Sequence, residues 1–234
     1  MTSVSRSRPA RLAGALYMLV AVTGAFVLIY VPSRLQLHEG TAVAAASILA
    51  HQSLFRLQIL VGLISELLFI AVVLVLYRLL EDVGRKAAAL MVGLVLLPAP
   101  LAFLSEAYQL ATLALLRGAE VLTAFDKPQR EALALLLLEL DNQGAVINQV
   151  FWGLWLLPLG WLVLRSGFLP RVLGGWLVLN GLAYVAISLT GVLAPEHMAT
   201  VSSTLFPVLM GEVAFALWLL AMGARERRPR MAAG

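Results

Sequence analysis

Six apolar stretches, each of about 20 residues or more, set the limits on what this chain can fold into. They lie near residues 12–31, 54–79, 87–116, 143–164, 172–194 and 202–223. A helix advances about 1.5 Å per residue, so about 20 apolar residues cross a ~30 Å hydrocarbon core. Only 13% of the 234 residues are charged, against about a quarter in an ordinary soluble domain. Apolar surface in that excess belongs in lipid. The expected fold is therefore all-α: one polytopic transmembrane bundle of six spans, with a tail at 224–234.

The connections refine the picture. Residues 81–86 (EDVGRK) and 165–171 (RSGFLPR) are short and basic, while 32–52 and 117–130 are longer and mixed. The N-terminal MTSVSRSRPARLAG resembles the basic start of a signal peptide, but the apolar run after it is too long; a retained first helix is expected. With the N-terminus placed inside, the 17 basic residues divide twelve inside to five outside. Such a bias puts both termini in the cytoplasm, as an even number of spans requires. Two short helices are expected on the outer side. One is the Ala-rich 41–51, with Thr41 as its cap. The other opens at Asp126, with Gln129 placed as a capping-box partner. The helix from 127 onward is expected to bend or break near Asp141–Gly144, since Gly costs about 1 kcal/mol against Ala in a helix. Pro158 is expected to interrupt the fourth span. Gly153 and Gly160 are seven apart, as are Gly174 and Gly181, which favours close backbone packing of the fourth and fifth spans.

Several chemistries are excluded. There is no Cys, so no disulfide, thiol nucleophile or thiolate metal site exists. The only lysines, Lys86 and Lys127, fall in loops, which rules out a Schiff base within the bundle. No phosphate-binding loop, dinucleotide fingerprint or nucleophile elbow is present. The net charge of +4, with basic groups at helix ends, suits an anionic leaflet rather than nucleic acid. No cofactor is expected.

Ionisable groups inside a span are costly and mark function by default. Counting from the inner basic anchors, Glu66 is roughly 18 Å up, Glu212 roughly 20 Å, Asn148 roughly 25 Å and Glu106 roughly 30 Å. Asp141 and Glu139 reach the outer interface. Glu106 and Gln109 share a helix face, as do Asp141 and Asn148, while Asn142 and Gln143 lie on the face of Glu139. The inner halves of the spans carry no charge, which disfavours an open pore and fits a pocket open to the outside. The candidate ligand-binding residues are Glu66, Glu106, Gln109, Asp141, Asn142, Asn148 and Glu212. Glu66 and Glu212 match in depth and are expected to approach each other. A structural alternative pairs Arg56 with Glu106 or Asp141. The histidines, His38, His51 and His197, all fall on the outer side without metal-ligand spacing; His51 is a weak metal candidate and no metal is expected.

RLAGALY (11–17), HQSLFRL (51–57), FWGLWLLPLGWLVLRSGFLPRVLG (151–174) and GEVAFALWLL (211–220) carry a resemblance over nearly the whole chain. The chain resembles a group of bacterial integral membrane proteins known as domain-of-unknown-function family 4386. The resemblance implies a multi-pass protein of the bacterial inner membrane and brings no assigned activity. The leading expectation is a receptor- or transporter-like protein, with an outward-facing carboxylate pocket for a small cationic or polar ligand or a lipid head group. The alternatives are an intramembrane hydrolase using carboxylates, with or without a metal, and a structural or partner-binding membrane subunit.

Overall fold

The computed structural model describes residues 6–37, 41–119 and 123–224. His38 and the basic residues of the C-terminal tail lie outside them. Among the described residues the chain is helical and holds no strand. The helices are α1 (Ser7–Ala25), α2 (Val31–Arg34), α3 (Thr41–Ala50), α4 (Gln52–Leu96), α5 (Ala99–Arg117), α6 (Lys127–Leu154), α7 (Leu156–Ser166), α8 (Arg171–Leu193) and α9 (Met198–Met222). One π-helical segment, Phe26–Tyr30, joins α1 to α2.

Among the described residues, five helical stretches are long and apolar enough to cross a membrane: Ser7–Arg34, Gln52–Arg117, Lys127–Ser166, Arg171–Leu193 and Pro195–Met222. The second has 66 residues, or about 99 Å if straight, some three hydrocarbon cores. It is not straight. Gly84 has non-helical backbone angles inside α4, and the chain breaks again at Leu97–Pro98 before α5. The expected second and third spans, near 54–79 and 87–116, both fall within this stretch. Pro98 and Pro100 sit at the start of α5, where a missing N–H costs nothing. Large apolar side chains such as Leu67, Leu97, Val172, Leu179, Leu193 and Phe206 are exposed, a surface that water would not tolerate and lipid does.

Of the bend or break expected near Asp141–Gly144, the break does not occur. Helix α6 runs unbroken from Lys127 to Leu154, and the interruption falls at Trp155. The cost of one glycine is small against the helix hydrogen bonds on either side. Pro158, by contrast, cannot donate to the Leu154 carbonyl. Even at Trp155 the ladder continues, from Trp155 N to Phe151 O at 3.2 Å and from Leu159 N to Trp155 O at 3.3 Å. The start of α6 is as expected. Asp126 N donates to Gln129 Oε1 at 3.0 Å, and Gln129 N donates to Asp126 Oδ1 at 2.8 Å, a reciprocal capping box.

The chain divides into two compact units. The first comprises 1–18, 69–97 and 149–234. Its centre is the packing of α6 and α7 on α8. A Cβ at Gly160 would lie 2.7 Å from the Gly174 carbonyl oxygen, and one at Gly181 would lie 2.6 Å from the Gly153 carbonyl oxygen. Position 153 thus opposes 181 and 160 opposes 174, an antiparallel register in which both backbones touch. Small residues permit this approach, and in lipid such van der Waals packing holds helices together. Gly14 gives α1 the same access to α9, where a Cβ would meet the Ala216 carbonyl oxygen at 2.8 Å.

One end of this unit gathers the short basic connections. Arg6 Nη2 is 3.2 Å from Asp82 Oδ2, and the Arg6 guanidinium stands 5.0 Å from the Phe168 ring centre. Arg165 stacks over Trp161 at 4.3 Å, and the Trp161 ring abuts Gly84. Gly223 packs against Ser7, so the described ends of α1 and α9 lie together.

The second unit comprises 19–68 and 98–148. Its apolar core is Val31, Leu35, Ile48, Phe55, Ile59 and Leu113, which joins α2 and α3 to the start of α4 and the end of α5. Helix α3 is the expected Ala-rich segment, set into this core through Ile48.

Candidate functional site

In the second unit, α5 and α6 run antiparallel in a register fixed by polar contacts. Thr112 Oγ1 donates to the Ala134 carbonyl oxygen at 3.3 Å, and Gln109 Nε2 donates to Asp141 Oδ2 at 3.0 Å. The Ser105 hydroxyl also hydrogen-bonds Asp141. Ser105, Gln109 and Thr112 recur at helical spacing, so one face of α5 carries all three. Glu106 instead turns towards α4. It lies against the backbone at Gly62, where a Cβ would be 2.8 Å from Glu106 Cδ. The carboxylates of Asp141 and Glu66 are its charged neighbours. Gln58, Gly62 and Glu66 are four apart and share one face of α4. Beside them Thr23 Oγ1 donates to Ser65 Oγ at 2.9 Å, tying α1 to α4.

Glu66, Glu106 and Asp141 have no ion pair among the described residues. Arg56 is exposed and pairs with neither Glu106 nor Asp141, so the structural alternative raised for it fails. Among the described residues of this unit, four buried oxygens also lack a hydrogen-bond donor: Gln58 Oε1, Glu106 Oε2, Gln109 Oε1 and Asn148 Oδ1. Gln58 and Gln109 are only 5% and 4% exposed. Native interiors seldom leave such groups unpaired.

Glu212, in the first unit, has a different setting. Its carboxylate accepts hydrogen bonds from the hydroxyls of Tyr17 and Tyr184. Tyr17 lies 6.1 Å from Trp155 between ring centres, Trp155 meets Phe69 edge-on at 5.2 Å, and Tyr184 meets Trp152 edge-on at 6.1 Å. The carboxylate thus sits among aromatic rings. On α8, Trp176 Nε1 donates to the Val208 carbonyl oxygen at 2.9 Å and Asn180 Nδ2 to that of Leu209 at 3.1 Å. Asn180 therefore braces α9 against α8.

The expected pairing of Glu66 with Glu212 joins residues of different units, and each has neighbours of its own within its unit. The tyrosines were missed by reasoning that followed charge alone. The readable signal was a Tyr inside an apolar span, since a buried phenol needs a partner. Ser105 and Gly62 were likewise missed as partners of Asp141 and Glu106. Asn142 is exposed, and Gln143 Nε2 donates to an exposed Glu139 at 2.7 Å. His51 is exposed and donates through Nδ1 to the Ser47 carbonyl oxygen at 3.0 Å. No group of three His, Asp or Glu side chains among the described residues is arranged to hold a metal ion.

Long apolar helices with carboxylates inside them define a polytopic helical membrane protein. The chain belongs to the family described as Domain of unknown function (DUF4386), whose model matches residues 12–223. No curated protein and no solved structure matches it.

Proposed function

We propose that this is a receptor- or transporter-like protein of the bacterial inner membrane that binds a small cation at Glu66, Glu106 and Asp141. The observation that carries this reading is three neighbouring carboxylates with no ion pair among the described residues. Burying a carboxylate without a counter-charge costs several kcal/mol, and a bound cation offsets that cost. Gln109 and Ser105 hold Asp141, and Asn148 extends the same side of α6 by two turns.

The test is thermal unfolding of the purified protein in detergent with a panel of small inorganic and organic cations at constant ionic strength. A cation held at about 100 times its Kd adds about 2.7 kcal/mol, a shift of about 5–10 °C. Glu106→Gln keeps the shape, removes the charge and is expected to weaken that cation about tenfold or more. A panel in which no cation gives a saturable shift would sink the proposal.

The basic asymmetry of twelve to five supports cytoplasmic termini and a cluster that opens outward. Reporter fusions at Gly234 and at residue 120 are expected to report opposite sides of the membrane. The same side for both would overturn this topology.

A further inference from the structure

We infer that the cluster of Glu66, Glu106 and Asp141 recognises a primary ammonium group through its N–H donors. The inference rests on the cation-binding reading and names the chemical class of the cation. It starts from the four donor-less oxygens of Gln58, Glu106, Gln109 and Asn148. All four are acceptors. The orientation of the Gln109 amide is settled by chemistry: its Nε2 donates to a carboxylate, which accepts, so Oε1 is the atom left over.

The acceptors lie on the helix faces that carry the carboxylates. Gln58 is one turn from Gly62, the position against which Glu106 packs. Gln109 is bonded to Asp141, and Asn148 is two turns along α6 from Asp141. Gln109 Oε1 and Glu106 Oε2 lie three residues apart on α5 beside Asp141, with Gln58 and Asn148 one or more turns to either side. A partner that completes those within its reach must bring positive charge and several N–H groups together. A primary ammonium offers three donors and no acceptor. A quaternary ammonium has the charge but no donor, and would leave the amide oxygens unpaired. A free amine and the head group of an aminophospholipid present the same –NH3⁺ chemistry.

The inference is tested by calorimetric titration of the purified protein with ethanolamine, N,N-dimethylethanolamine and choline. All three carry one positive charge, and their N–H donors fall from three to one to none. Affinity is expected to fall along the series, with choline at least about tenfold weaker than ethanolamine, since orphaned acceptors lose a charge-assisted bond. Equal binding of ethanolamine and choline would overturn the ammonium inference and leave the cation reading standing. No binding of any amine would overturn the inference, and if the wider cation panel also fails, the cation reading goes with it. Asn148→Leu supplies a second readout. It removes an unpaired acceptor, so it is expected to raise the melting temperature of the ligand-free protein and weaken ethanolamine while sparing choline. Unchanged ethanolamine affinity in both Asn148→Leu and Gln58→Leu would also overturn the inference. Bilayer discs separate the sources. If the lipid head group is the occupant, added ethanolamine binds in discs of phosphatidylcholine but not in discs of phosphatidylethanolamine. If a free amine is the ligand, it binds in both.

Discussion

Gly160→Leu is expected to destabilise the protein by more than about 3 kcal/mol, or to prevent its assembly. An added Cβ alone would lie 2.7 Å from the Gly174 carbonyl oxygen and 2.7 Å from Val178 Cγ2. Overpacking a core costs about 1–3 kcal/mol when side chains can rotate away, and a backbone carbonyl in a helix cannot. The helices must separate instead. Separation would undo the packing of Leu156, Leu157, Leu164 and Val178, whose side chains line this seam. Even Ala is expected to lose, because its helix preference over Gly is only about 1 kcal/mol. Gly175 is the control. It is next to Gly174 on α8, yet a Cβ there would meet nothing within 4 Å. Gly175→Ala is expected to be neutral or stabilising. Thermal melting in detergent measures both; a wild-type melting temperature for Gly160→Leu would refute the backbone-to-backbone packing.

Glu212→Leu is expected to cost about 2–6 kcal/mol, because it strands two tyrosine hydroxyls at about 1–3 kcal/mol each. Tyr17 is 5% exposed and packs beside Trp155, so its hydroxyl has little access to water. Glu212→Gln retains an acceptor of similar size and is expected to cost about 1 kcal/mol. The double mutant with Tyr17→Phe separates the terms. Removing both partners leaves one fewer orphan, so the pair should be less damaging than the sum of the single changes. Strict additivity would mean that the Tyr17–Glu212 hydrogen bond contributes nothing to stability.

These two changes also mark where reading along the chain stops. The seven-residue spacing of Gly153 and Gly160, and of Gly174 and Gly181, was visible as a small-residue face. Only the packed helices supplied the register that sets 153 against 181 and 160 against 174. The capping box at Asp126 was legible because both partners lie within one turn. Of the two interruptions read in this stretch, the one at Pro158 was placed correctly, with the break at Trp155 just before it, and the one at Asp141–Gly144 was not. A glycine weakens a helix by about 1 kcal/mol, whereas a proline deletes a specific hydrogen bond, so Pro158 was the stronger local signal.

The sequence alone determined that this chain is a helical membrane protein, because lipid requires about 20 consecutive apolar residues and every backbone group satisfied within its own helix. Those demands are local, and each apolar run declares itself. It also determined which polar groups had to be placed inside spans, since Glu66, Glu106 and Glu212 each stand in apolar runs. The tertiary structure decided their company. Glu106 rests on Gly62 with Asp141 and Glu66 as charged neighbours, and Glu212 is held by Tyr17 and Tyr184. These partners are 28 to 195 positions away along the chain, and depth from a basic anchor gives height but not azimuth. Which face of a span meets which neighbour depends on how the helices rotate to bury small residues. That choice is made by packing between helices, where the sequence of any one span carries only half of the contact.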